Sequence, residues 1–328
     1  MRWRVRLTVP VFILLAMGFT GIPATLQAGE PPSEPAVADN AALSAQIQSF
    51  AQDLERLRRF MGAPRINELD IGIRSALPRD LYFQALTLWE STDRLSFEIL
   101  RTHAKPPPAP PGGIELQDAL IRIRDAHQNL RQAMRQLQIA DTGGAMAGNE
   151  IPPADSFTAL LNLNRQLNLL LERHIAPSDV YEEVTLAIGY AARLLAPHPD
   201  ATRIPAEPPF EPDKLPRDVY LRLIECLRSI VRIFDMQGLA VLTIETSRTD
   251  LDRVNPGDVY LVAAMIVSQL DFLYQHLGSA RPPPQPIYPG LKFPAHSYQR
   301  AGILLAQLQQ LERHLAPNQA AQPLPEPR

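Results

Sequence analysis

One short phrase recurs along the chain, and it constrains the fold more than any other feature. Pro78-Arg79-Asp80-Leu81-Tyr82, Pro177-Ser178-Asp179-Val180-Tyr181, Pro216-Arg217-Asp218-Val219-Tyr220 and Pro256-Gly257-Asp258-Val259-Tyr260 share the pattern Pro-x-Asp-apolar-Tyr. Weaker copies are Pro153-Ala154-Asp155-Ser156-Phe157 and Pro294-Ala295-His296-Ser297-Tyr298. Proline suits the first turn of a helix, where its missing N–H costs nothing and its φ is already set. Aspartate in that turn accepts N–H groups that have no partner in the helix and favours the positive end of its dipole. In Asn255-Pro256-Gly257-Asp258 the expected N-cap is Asn255, with Asp258 as the acceptor at the third helical position. The phrase predicts helix starts.

Helical periodicity fills the intervals. Apolar residues at steps of three and four predict eight helices, at about 39–61, 79–103, 114–138, 155–174, 178–196, 216–236, 256–277 and 295–315. In the first, Leu43, Ile47, Phe50, Leu54, Leu57 and Met61 form a heptad seam. That spacing suits either a coiled coil or a long bundle helix. The third helix repeats it, with His127 interrupting the apolar row as a register-fixing polar residue. Two stretches read as extended: 66–73 alternates weakly, and 239–244 is rich in β-branched residues. Two such pieces are not expected to make a sheet, so the fold class is all-α.

The helices come in two sets. The run Leu77–Tyr82 matches Leu215–Tyr220 at an offset of 138 residues, and Leu171-Glu172-Arg173-His174 matches Leu311-Glu312-Arg313-His314 at 140. This order predicts a duplication, with a four-helix unit at 39–175 and a second at 176–317. The connectors at 105–113, 196–215 and 279–293 are long and proline-rich. Extended at about 3 Å per residue, such a segment reaches back along a helix of roughly 30 Å, so consecutive helices can lie parallel. The expected architecture is two bundles or one helical-repeat array. From the fifth helix on, the starts are spaced 39, 40 and 38 residues, which is not the spacing of about 34 in tetratricopeptide repeats.

The first 28 residues read as a secretory signal. Arg2, Arg4 and Arg6 precede an apolar stretch at 7–19, and Ala24 and Ala28 are small residues where a peptidase can cut. The expected location is the periplasm, without a stable membrane anchor after cleavage. A short linker (29–38) follows, and a polar, proline-rich tail (318–328) ends the chain. Without the three leader arginines, 29 basic residues face 35 acidic ones, a net charge of −6. An acidic chain without a basic stripe is a poor match to nucleic acid or anionic lipid. The lone Cys226 lies within a helix and is expected to be a small buried residue.

No catalytic, cofactor or metal pattern emerges. Glu172 and His174 are two residues apart, as are Glu312 and His314, whereas bundle metal sites use Glu-x-x-His. His174, His276 and His314 fall in expected last turns, where a cationic ring suits the helix dipole. Glu90-Ser91 lacks the motifs of a peptidoglycan-cleaving transglycosylase. The reading that follows is a non-enzymatic periplasmic adaptor, assembly factor or scaffold that binds a protein. The alternatives are a small-ligand or sensor module and, further off, a peptidoglycan-active enzyme. Candidate contact residues are the helix-start tyrosines Tyr82, Tyr181, Tyr220, Tyr260 and Tyr298. Ile47 and Leu54 are candidates for pairing the first helix with a second copy.

Overall fold

A computed structural model describes residues 34–64, 72–108, 110, 113–140, 152–172, 174–245, 249–278 and 283–316. The expected signal segment and the tail lie outside these residues. The described chain is mostly helical: α1 Glu34–Phe60, α2 Pro78–Leu100, α3 Leu116–Gln136, α4 Pro153–Leu170, α5 Pro177–Leu194, α6 Pro216–Met236, α7 Pro256–His276 and α8 Pro294–Leu315.

The start phrase works as half of a capping box. In α2, α5, α6 and α7 the aspartate at the third helical position turns back to the residue before the proline. Its Oδ2 accepts that residue's backbone N–H, at 2.9 Å for Asp80 and Leu77 and 2.7 Å for Asp218 and Leu215. The same bond forms at Asp179 (2.7 Å) and Asp258 (2.9 Å). Only α7 completes the box, because Asn255 Oδ1 also accepts from the N–H groups of Gly257 and Asp258. In α8 a histidine takes the aspartate's place, with the Phe293 N–H donating to His296 Nδ1 at 3.1 Å. The residue before each of these prolines is extended, as Pro requires; Leu215 has φ −99° and ψ 166°.

The ends of the two stretches read as extended do pair, contrary to expectation, while 66–71 lie outside the described residues. Gly72–Ser75 (β1) runs antiparallel to Thr243–Glu245 (β2), with Ile73 opposite Ile244. Cross-strand pairs supply what the short backbone ladder cannot. Arg74 Nη2 meets Glu245 Oε1 at 2.8 Å, and the Ser75 and Thr243 hydroxyls are 2.8 Å apart. β1 also packs on α4. Gly72 is required here, since a Cβ would stand 2.5 Å from the Glu245 carbonyl oxygen.

The chain divides into two compact units. Unit 1 comprises Met1–His174 together with Leu242–Thr249, and so includes β2; unit 2 comprises Ile175–Val241 and Asp250–Arg328. In unit 1 the helices contact one another in the ring α1-α3-α2-α4. In unit 2 the ring is α5-α7-α6-α8. The position of each helix in its ring matches its place in the sequence set.

All four helices of unit 2 point the same way. Pro177, Pro216, Pro256 and Pro294 gather at one end, with Val180, Val219, Val259 and Ser297 closing the space between them. Proline and the residue three positions on share a helix face, which explains why both recur. Near that end Arg222 Nη2 donates to the Tyr298 hydroxyl at 2.6 Å; near the other, Arg232 Nε meets Glu312 Oε1 at 2.7 Å. Buried Leu223, Ile230, Phe234, Ile266, Leu270 and Leu304 fill the interior.

Parallel helices force each connector back along the bundle. The α5–α6 strap crosses α8: Gln307 Nε2 donates to Arg203 O (2.6 Å), Gln299 Nε2 to Pro208 O (2.8 Å), and Gln310 Oε1 accepts from Thr202 N (2.9 Å). The α7–α8 strap crosses α5, with Ser178 Oγ donating to Gly290 O and accepting from Lys292 N, both at 2.9 Å. Each strap seats a proline on a helical glycine. A Cβ on Gly302 would lie 2.7 Å from Pro208, and one on Gly189 2.9 Å from Pro283. Alanine at a helix interior normally gains up to about 1 kcal/mol over glycine. Gly302→Ala is expected to reverse that sign and cost about 1–3 kcal/mol through overpacking. Urea unfolding read by circular dichroism measures this; a stabilised variant would show that the strap yields freely.

Candidate functional site

The helix-start tyrosines do not form one exposed row. Tyr82 is buried in unit 1 and Tyr220 in unit 2. Tyr181, Tyr260 and Tyr298 are half-buried. Cations cover two of these rings. Arg222 Cζ stands 3.4 Å from the Tyr298 centroid and Lys214 Nζ 4.4 Å, while Lys292 Nζ is 4.9 Å from the Tyr181 centroid and Arg300 Cζ 5.3 Å. These contacts hold the straps and neighbouring helices to the bundle by cation–π attraction.

The heptad seam of α1 is turned into unit 1, except for Met61, which lies past the helix end and is 43% exposed. Leu43, Phe50 and Leu57 are fully buried, and Ile47 and Leu54 are each 3% exposed. The seam packs within the ring against α3 and α4. It is the long bundle helix of the two readings that the spacing allowed, with Ile47 and Leu54 buried except where they reach the floor of a cleft between α1 and α4.

His127 interrupts the α3 seam because it has a buried partner on α1. Its Nε2 donates to Asp53 Oδ2 at 2.8 Å, while Gln46 Nε2 donates to Nδ1 at 2.7 Å. Asp53 also accepts from Arg131 Nε at 2.8 Å and from Arg56. Burial alone would raise the Asp53 pKa. The hydrogen bonds from His127, Arg131 and Arg56 outweigh it and hold the carboxyl well below the usual carboxylate range. This cluster locks α1 against α3 in one register. Asp53 and His127 are closed to solvent, and the Ser49 hydroxyl lies 3.5 Å from Arg131 Nη2.

In unit 2 burial raises the Tyr190 hydroxyl pKa, helped by the charge of Asp271, whose own pKa burial also raises. Cys226 is fully buried and its Sγ faces Ala301 O at 3.8 Å. Burial pushes its thiol pKa far up, the opposite of a nucleophile's setting. His276 ends α7 and His314 sits in the last turn of α8, but His174 lies beyond the end of α4. His314 stacks on His198, ring centroids 4.6 Å apart. Glu90 is half-buried in the middle of α2. Among the described residues no group of three or more His, Cys, Asp or Glu could hold a metal ion.

Comparison with protein-family models, curated proteins and solved structures returns no match.

Two surfaces remain, and among their residues sequence reasoning had singled out only Ile47 and Leu54. The first is the proline-lined end of unit 2. Phe210, Leu215, Leu291 and Phe293 are exposed there, Leu291 by 77% and Phe293 by 56%. Phe210 and Phe293 flank His296, with ring centroids 5.1 and 5.9 Å from the imidazole. The second is a cleft of about 430 Å³ between α1 and α4 in unit 1. Ala51 and Ala159 leave it open, Ile47, Leu54 and Leu163 line it, and Arg59 stands at its rim. The signal for the first was present in the connectors: Pro209-Phe210-Glu211 and Leu291-Lys292-Phe293-Pro294 place large apolar side chains where the chain has little core to bury them.

Two measurements check this account. Asp53→Asn is expected to cost about 2–3 kcal/mol at pH 7, because it leaves the half-buried Arg56 and Arg131 guanidiniums without their counter-charge and weakens the acceptor of buried His127. Since the folded pKa of Asp53 is depressed, its contribution is full above the unfolded value of about 4, begins to fall below it and is lost as pH drops through the folded value. Calorimetry from pH 7 to 3 should show a shallower acid limb in the variant; equal limbs would remove Asp53 as the cause. A thiol reagent should leave Cys226 unmodified until the protein unfolds in denaturant.

Proposed function

We propose that the protein is exported to the periplasm and works there without catalysis, by binding another protein through the proline-lined end of unit 2. The observation that carries this reading is the exposed apolar group Phe210, Leu215, Leu291 and Phe293. Scattered exposed apolar residues need no explanation, but aromatic and leucine side chains gathered on one face mark interaction surfaces. Lys214 and Lys292 sit beside them in sequence, their ammonium groups over Tyr298 and Tyr181. They give the face a polar rim, as protein interfaces have. The leader at 1–28 supports export, and the net negative charge of the mature chain argues against nucleic acid.

We further infer that the two four-helix sets descend from one by duplication. The offsets of 138 and 140 residues support this, as does the shared ring order.

The test is native mass spectrometry of tagged mature protein released gently from its own cell envelope. The wild type is expected to carry a partner protein. The double variant Leu291→Asp, Phe293→Asp should lose it with an unchanged unfolding temperature, because both side chains are exposed. A partner retained by the variant would place the interface elsewhere. A wild type that emerges alone would remove the reading.

A further inference from the structure

The start of α8 differs in its chemistry from the other capped starts. In α2, α3, α5, α6 and α7 the acceptor at the third helical position is a carboxylate, that of Asp80, Asp118, Asp179, Asp218 or Asp258. In α8 it is His296 Nδ1, which accepts the Phe293 N–H at 3.1 Å. A carboxylate acceptor does not change above a pH of about 5. An imidazole nitrogen accepts only while it carries no proton, so the α8 bond requires the neutral ring with its proton on Nε2. Histidine is the side chain that ordinarily changes charge between about pH 5 and 8.

The same ring is a spacer within the exposed apolar face. Phe210 from the α5–α6 strap and Phe293 from the α7–α8 strap pack on it, with centroids at 5.1 and 5.9 Å. The capped Phe293 is extended, at φ −110° and ψ 164°. A proton on Nδ1 would set two donors against each other at 3.1 Å, so the ring must turn, and turning disturbs its packing on both phenyl groups. The phenyl faces attract a cation and the positive end of α8 repels one, but with either outcome the cap bond is gone. The charged groups on the surrounding elements are engaged elsewhere or face solvent. On the α5–α6 strap Glu211 pairs with Lys214 at 2.7 Å, Glu207 meets Arg300 of α8 at 3.4 Å, and Asp213 is exposed. Lys292 of the α7–α8 strap lies over Tyr181. On α6 Arg217 pairs with Asp252 and Arg222 donates to the Tyr298 hydroxyl, while Asp179 and Asp218 cap their own helices. None of these described carboxylates pairs with His296.

We propose that His296 makes the exposed face of unit 2 sensitive to pH: the neutral ring caps α8 and orders Phe210 and Phe293 for a partner, and the protonated ring releases the cap and with it the partner. The proposal rests on the reading of this face as a protein-binding surface and adds its regulation. The aspartate-capped helices are an internal standard, since their acceptors do not change over the same pH range.

The test uses the mature chain, labelled with nitrogen-15 at leucine and phenylalanine and titrated from about pH 8 to 5 by NMR. The Phe293 amide should shift with the same midpoint as the His296 ring protons. Its protection from hydrogen exchange should fall roughly fivefold, the loss of one ordinary cap. The Leu77 and Leu215 amides, which have aspartate acceptors, should stay still, and in His296→Asp the Phe293 amide should stay still as well. A Phe293 amide that ignores the ring's titration would overturn the proposal. Wild-type protein released from its envelope should keep its partner at about pH 7.5 and lose it at about pH 5.5, whereas His296→Asp should keep it at both. Release from both proteins alike would place the sensor on another group and sink the inference. Retention by the wild type at both pH values would also sink it, and would leave the interface standing. A wild type that carries no partner at either pH would remove the interface itself, and the release with it.

Discussion

Four helices that all start at the same end set the terms for the rest of unit 2. In an antiparallel bundle short turns join neighbours and opposed dipoles offset one another. Here neither economy is available. Four positive helix ends converge around Pro177, Pro216, Pro256 and Pro294. Proline removes N–H groups from that crowded end, and Asp179, Asp218 and Asp258 bring negative charge to it. The same geometry makes long connectors unavoidable. A stiff, proline-rich strap loses less entropy on being laid along a helix than a glycine-rich one would. The glycine notches at Gly189 and Gly302 follow from the straps, since a helix can receive a proline ring closely only where it lacks a side chain.

Much of this was legible in the sequence, because the start phrase is local chemistry. The capping bonds of Asp80, Asp179, Asp218 and Asp258 depend on residues within one turn, so spacing alone foretold them. Helix limits followed within a few residues for the same reason. Asn255 and Asp258 form the reciprocal cap that their spacing suggested. What failed was information carried by distant pairs. The 239–244 run was read as extended but not as part of a sheet, since its partner lies some 170 residues away and the Ser75–Thr243 and Arg74–Glu245 pairs are invisible to local pattern. The α1 heptad was ambiguous because a seam facing a second copy and a seam facing one's own bundle obey the same periodicity.

The candidate surfaces were the least legible part. A tyrosine five residues into a helix can lie in the core, as Tyr220 does, or under a cation, as Tyr298 does; the choice depends on which neighbour the ring order places beside it. The exposed group on unit 2 arises from connectors whose course is fixed only once the helices are parallel. His127 stood out correctly as a misfit in its seam, but its partners Asp53 and Gln46 sit on another helix, beyond any sequence window. Charge assignments therefore needed the fold, whereas caps did not.

The chain passes between its two units three times, because Leu242–Thr249 belongs to unit 1 although unit 2 surrounds it in sequence. A polypeptide that emerges N-terminus first brings α1 to α4 out long before that segment. At the usual pace of synthesis, roughly 5–20 residues per second, β1 would wait several seconds for its partner. During that interval Gly72–Ser75 is an unpaired edge, the kind of exposed template that invites pairing with other chains. Completion of the first half thus depends on arrival of the second, so the two halves cannot mature as independent beads. A cut at the apparent boundary near His174 would not separate two finished pieces; it would strand one of them without its last strand.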